Sequence, residues 1–178
     1  RSIDRIESVL NRDRKVATYK LALFRALAEI ATSGYNQARW RSDGSVALPL
    51  AAVSKKWLEY FWPLVSSRSF IPQIQGETPT SKKPIAFRHL LGQLAKSFRL
   101  KGGLPGFLVA SRGERLGGED LKLSRKVMSV LSRTIQQGPV TYAGGGGTPR
   151  AVFSFDKETA SIVMDSGLWQ ELCLMGSW

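Results

Sequence analysis

Cysteine and histidine are almost missing from this chain: Cys173 and His89 are the only ones in 178 residues. One cysteine excludes an intrachain disulfide and a redox pair, and it fits a reducing compartment. A Cys/His metal site needs about four ligands of those types, and a nuclease centre built on histidines needs more than one. A Ser/His/Asp triad has only His89 to draw on, and no GxSxG elbow occurs. Acids are few and scattered, so no carboxylate cluster stands ready for a metal. There is no run of about 18 apolar residues to span a bilayer. The start, RSIDRIESVL, carries no signal-peptide core. These absences point to a binder rather than an enzyme, with no cofactor, no small-molecule substrate and no membrane partner.

What the chain does have is positive charge. Its 26 Lys and Arg against 14 Asp and Glu give +12 and a pI near 10.3. That is the footprint of a nucleic-acid binder. A ribosome-associated protein, an anionic-membrane binder and a merely basic domain are the other readings. Hydrophobic residues make up 43%, too many for a disordered chain. The length suits one domain over 1–178 with a real core. The chain begins at Arg1 without Met and stops inside the apolar segment LWQELCLMGSW. We therefore expect a piece excised from a larger protein.

Periodicity predicts a mainly α fold, a single helical domain with a minor β-hairpin. A short amphipathic helix is expected over 3–10. A second begins near Arg14, with Val16, Tyr19, Leu23, Ala26, Leu27 and Ile30 at helical spacing and Gly34 after its end. Residues 33–45 form a polar turn region where Tyr35, Arg39, Trp40 and Arg41 interleave charge with rings. There the arginines clamp phosphate and a ring stacks on a base, or Trp40 folds onto the core and the arginines are solvated. A strand over 46–48 precedes Pro49, which suits a helix start. Leu50, Val53, Trp57, Phe61 and Leu64 mark that helix, which Pro63 ends or kinks.

Further on, a helix over 85–98 is broken by Arg99, Lys101, Gly102, Gly103 and Pro105, and Phe107 to Ala110 form a short buried piece. The loop SRGERLGGED carries Arg112 and Arg115, and Asp120 caps a helix to about Gln137. The glycine tract 144–147 lacks the GxxxxGK[ST] pattern and precedes a strand, so it is no P-loop. Strands at 150–155 and 161–164 pair as a hairpin, and the segment from Leu168 is helical.

The stretch that unites charge and apolar character is residues 70–91, FIPQIQGETPTSKKPIAFRHLL. Pro84, Ala86 and Phe87 form an apolar patch rimmed by Lys82, Lys83 and Arg88, which would suit an anion that is also poorly hydrated. The plainer reading is a connecting loop in which Pro84 starts a helix and Phe87 joins the core. His89 is read as a capping or contact residue rather than a general base.

NRDRKVATYKLALFRALAEIA, KKWLEYFWPLV and KKPIAFRHLLGQL, with GPVTY and LWQEL after them, resemble the N-terminal region of bacterial HNH endonucleases. The helix pattern and proline-plus-aromatic loop are similar to the DNA sulfur-binding domain of type IV, phosphorothioate-dependent restriction enzymes. The resemblance covers most of the chain. It implies recognition of duplex DNA in which sulfur replaces one non-bridging phosphate oxygen, with cleavage left to a separate HNH domain. It places the sulfur pocket at Lys83, Pro84, Ile85, Ala86 and Phe87, where Lys83 stands for the family's tyrosine. The family's His-Lys-Pro is Thr18, Tyr19 and Lys20 here, which implies Tyr19 and Lys20 as contacts.

The expected function is thus a recognition domain of a bacterial, cytoplasmic restriction protein, with phosphorothioate-modified double-stranded DNA as its partner. Lys20, Tyr35, Arg39, Arg41, Lys82, Arg88, His89, Arg112 and Arg115 are its candidate DNA contacts. A generic DNA- or RNA-binding domain, or a protein-interaction domain docking through the apolar C-terminal segment, are the alternatives.

Overall fold

A computed structural model of the chain describes residues 17–33, 35–74, 76–143 and 152–175. The helix expected over 3–10 lies outside them, as does the start of the next helix near Arg14. Six helices and four strands follow, so the mainly α class with a minor β element holds. In chain order they are α1 (Ala17–Ser33), β1 (Arg39–Trp40), β2 (Val46–Pro49), α2 (Leu50–Ser66), α3 (Arg88–Phe98), α4 (Gly103–Arg112), α5 (Gly118–Ile135), β3 (Ser154–Asp156), β4 (Ser161–Met164) and α6 (Ser166–Met175). The chain clusters into two compact units, one from residues 1–56 and 132–178, the other from 57–131.

The first unit holds the sheet. Its strand order is β1-β2-β4-β3, antiparallel throughout. The β3–β4 pairing is the hairpin expected from the sequence, with Phe155 opposite Ile162. Its extension into four strands depends on β2 meeting β4, with Leu48 opposite Ile162. Val46, Leu48, Ile162 and Met164 are all buried, as are Leu23, Leu27 and Ile30 on the predicted stripe of α1. Phe24 packs against Phe153 with ring centroids 5.6 Å apart. α6 starts two residues before Leu168 because Asp165 caps it, its Oδ1 accepting the Leu168 N–H at 2.9 Å.

The second unit is helical and aromatic. Phe61 and Phe87 meet edge-on at 4.8 Å, and Trp57 closes the cluster at 6.3 Å from Phe87. Trp62, Phe98 and Phe107 form another, with Phe98 and Phe107 at 5.4 Å. Each buried ring contributes on the order of 2–3 kcal/mol from removed apolar area, and each well-oriented pair adds about 1 kcal/mol.

Two prolines expected to end or interrupt a helix lie within one. Pro63 sits in the last turn of α2, which runs on to Ser66. Pro105 lies in the first turn of α4, where a missing N–H costs nothing because no partner exists there. Gly102 and Gly103, at φ +89 and +61, make the reversal that aims α4. The piece expected over 107–110 is therefore the middle of a ten-residue helix. Asp120 lies inside the first turn of α5 rather than capping it. Its carboxylate accepts Lys101 Nζ at 2.7 Å and Ser97 Oγ at 2.5 Å, bonds that hold it below the usual carboxylate range. No helix among the described residues is long and apolar enough to cross a membrane.

Candidate nucleic-acid interface

The loop from Phe70 to His89 is closed from within by one carboxylate. Glu77 Oε1 accepts the Ile85 N–H at 3.0 Å and Arg88 Nε at 2.8 Å. Its Oε2 accepts the Gln73 N–H at 2.7 Å and an Arg88 terminal nitrogen at 2.9 Å. That same Arg88 nitrogen donates to the Ile71 carbonyl at 2.7 Å, and its guanidinium lies 4.5 Å from the centre of the Phe70 ring. Burial, the largest single influence on Glu77, pushes its carboxyl up. The bonds from Arg88, Gln73 and Ile85 together outweigh it and hold the group below its ordinary value. Farther out, Thr78 and Ser81 close a turn on each other, Ser81 Oγ accepting the Thr78 N–H at 2.7 Å.

This clasp sorts the residues that follow. Ile85 and Phe87 turn inward, 2% and 0% exposed, while Lys82, Lys83, Pro84, Ala86 and His89 face solvent. The expectation of Ile85 and Phe87 as pocket walls is corrected here: they are core residues that anchor the loop. Arg88 is corrected too. Its charge is engaged by Glu77, so it forms no cationic rim. The helix begins at Arg88 rather than 85: the Arg88 N–H closes a turn on the Ile85 carbonyl at 3.0 Å, and the first helical bond runs from Leu91 N–H to the Phe87 carbonyl. His89 sits on the surface of α3, its Nε2 2.9 Å from Gln93 Nε2.

The remaining candidates fall into three places. Lys20 is 2% exposed, which removes its ammonium from any DNA-facing surface and corrects its assignment as a contact, and Tyr19 is half-buried. Arg39 and Arg41 are exposed on and beside β1, and Arg41 lies 3.3 Å from Asp156 Oδ2. Tyr35 opens a short 3-10 turn, and its side chain lies outside the described residues. Arg112 ends α4 and Arg115 follows it, both exposed, and Arg115 lines an open groove of about 420 Å³ with Lys101, Pro105, Gly106 and Val109. Arg39, Lys82, Lys83, Arg112 and Arg115 have no ion-pair partner among the described residues.

The 57–131 unit holds twelve Lys and Arg against five Asp and Glu, so it carries +7 of the chain's +12. No group of three or more His, Cys, Asp or Glu that could hold a metal occurs among the described residues. By sequence, Trp40 suits either the core or an exposed stacking position. It is 59% exposed, whereas Trp57, Trp62 and Trp169 are buried.

A family model described as a domain of unknown function (DUF8808) matches residues 1–178. The chain belongs to that family. No curated protein and no solved structure matches it.

Proposed function

We propose that this domain binds DNA through its unpaired surface cations and senses a phosphorothioate linkage at the 82–89 strip. The observation that carries the reading is the alternation imposed by the Glu77 clasp. Ile85 and Phe87 hold the loop from below while Lys82, Lys83, Pro84 and Ala86 are offered to solvent in one fixed order. A strip already held in shape loses little entropy on binding.

The selectivity follows from hydration. A phosphate oxygen pressed on the Pro84 ring or the Ala86 methyl loses water and gains no hydrogen bond, a penalty of about 1–3 kcal/mol. Sulfur keeps the negative charge, is less strongly hydrated and gains dispersion contacts instead. Lys82 and Lys83 attract either linkage; the apolar pair that follows them, Pro84 and Ala86, discriminates against the ordinary one. Cleavage belongs to a nuclease domain elsewhere in the parent protein.

The test is competition between two matched duplexes, one carrying a single phosphorothioate, at several salt concentrations. Preference for the sulfur duplex by about tenfold is expected from about 1.4 kcal/mol of difference, with affinity falling as salt rises. Equal affinities would remove the sulfur reading and leave a generic DNA binder. Absence of salt-dependent binding would remove DNA altogether and favour protein docking.

A further inference from the structure

The β1 edge presents a tryptophan to water on a hairpin too well braced for that exposure to be a loose end. Trp40 pairs with Val46 across the hairpin and Arg39 with Ala47. Beyond them the turn is tied by bonds among Arg41, Asp43, Gly44 and Ser45. Arg41 N–H donates to the Ser45 carbonyl at 2.9 Å, and Gly44 N–H to the Arg41 carbonyl at 3.0 Å. Asp43 Oδ1 accepts from Ser45 through both N–H, at 2.9 Å, and Oγ, at 2.6 Å. Gly44 supplies the left-handed φ of +79 that the turn needs. The Arg41–Asp156 ion pair, at 3.3 Å, holds the strand end down.

Strand order ends at β1, so its outer edge has no neighbouring strand among the described residues. Successive side chains on a strand point to opposite faces. Trp40 therefore takes one face of this edge, and Arg39 takes the other. Arg39 is exposed with no ion-pair partner among the described residues. A ligand straddling the edge meets an indole on one side and a free guanidinium on the other. A nucleotide has that division of properties, a flat apolar base joined to an anionic phosphate.

We propose that Trp40 is a stacking platform for an unpaired nucleobase, with Arg39 on the adjoining phosphate, so that the domain engages a stretch of unstacked or single-stranded DNA. The proposal rests on the nucleic-acid reading above and adds a second contact with a different ligand state. Rings on a basic surface are how single strands are held without sequence preference, because every base has a π face. In a stacked duplex that face is covered, so Trp40 reads strandedness rather than sequence.

The probe is a single-stranded oligothymidylate of roughly 12 nucleotides, compared with a blunt duplex of the same length. Trp40 is the exposed indole among the four described, and the difference between wild type and Trp40→Phe isolates its emission. The single strand is expected to quench wild-type emission, and that quenching is expected to vanish in Trp40→Phe. Trp40→Ala and Trp40→Leu should weaken single-strand binding about tenfold, the low end of one lost stack. Trp40→Phe, which keeps a ring, should lose under about threefold, and duplex affinity should change as little in all three.

Leucine losing no more affinity than phenylalanine would overturn stacking in favour of plain apolar contact. An oligoglutamate that competes and quenches as well as the oligonucleotide would show that the edge reads charge, which also overturns it. Duplex binding with unchanged single-strand affinity in the variants removes this inference and leaves the DNA reading intact. Binding to neither probe removes both.

Discussion

Arg88 and Glu77 face each other as two forks: Nε meets Oε1 at 2.8 Å and a terminal nitrogen meets Oε2 at 2.9 Å. The glutamate side chain is fully buried and the arginine is 16% exposed, so little water screens the pair. Its partners span Gln73 to Arg88, which makes one carboxylate the fastening of the whole loop. Glu77→Gln leaves a buried guanidinium without its counter-charge. We expect a loss of about 3 kcal/mol, measured as a lower urea midpoint with an unchanged m-value.

The same pair gives a pH signature. Glu77 is held below its ordinary value of 4.5 in the folded protein. The unfolded chain therefore takes up the proton first as pH falls. The stabilisation is present above the ordinary value and is lost as pH drops through the depressed one. Wild-type stability should consequently fall more steeply under acid than that of Glu77→Gln. Parallel acid profiles of the two would show that the carboxylate is not depressed.

Phe87 and Pro84 should separate stability from recognition. Phe87→Ala opens a hole beside Phe61 and Trp57 and should cost about 3–5 kcal/mol. Pro84→Ala removes an exposed ring and should change stability by less than about 1 kcal/mol. If the strip senses sulfur, Pro84→Ala narrows the gap between modified and ordinary duplexes while binding to ordinary DNA is retained. Equal weakening on both duplexes would place Pro84 away from the linkage.

Lys82 and Lys83 are exposed and without ion-pair partners among the described residues. Changing both to Ala should reduce the slope of log affinity against log salt by about 2, one per phosphate contact. Lys20→Met is the control, since a buried ammonium releases no counterion from DNA and its loss should leave the slope alone.

Gly106 tests the packing at the start of α4. A Cβ there would fall 1.9 Å from the Lys101 carbonyl oxygen, which is backbone and cannot swing aside. Gly106→Ala should cost about 1–3 kcal/mol by overpacking, read as a drop in thermal midpoint. A neutral result would mean that the Lys101–Gly106 reversal can open without loss.

Much of the fold was legible because helices and hairpins write themselves in short-range spacing. The stripe Leu23, Leu27, Ile30 and the run Val53, Trp57, Phe61 are buried as their periodicity predicts. The 161–164 strand pairs with its neighbour in the hairpin expected from the sequence. Errors came where a local signal has two meanings. Proline and glycine at 102–105 read as a break, yet in the first turn of a helix they are tolerated or favoured, and only the register of α4 tells which case applies. Neither boundary between the two units was visible, because both fall inside helices, between residues 56 and 57 in α2 and between 131 and 132 in α5. No Pro- or Gly-rich linker marks either position.

The amino-acid order alone determined the surplus of positive charge, the lack of Cys/His chemistry, the helical stripes and the place of the proline loop. All of these are properties of composition or of neighbours a few residues apart. The tertiary structure decided which of residues 84–87 see water, where the charge of Arg88 is neutralised, that Lys20 is buried and that Trp40 is not. It also decided that β2 meets β4, uniting strands more than a hundred residues apart. Such outcomes depend on which distant groups arrive beside a side chain, as Glu77 does eleven residues from Arg88, and no spacing rule carries that information.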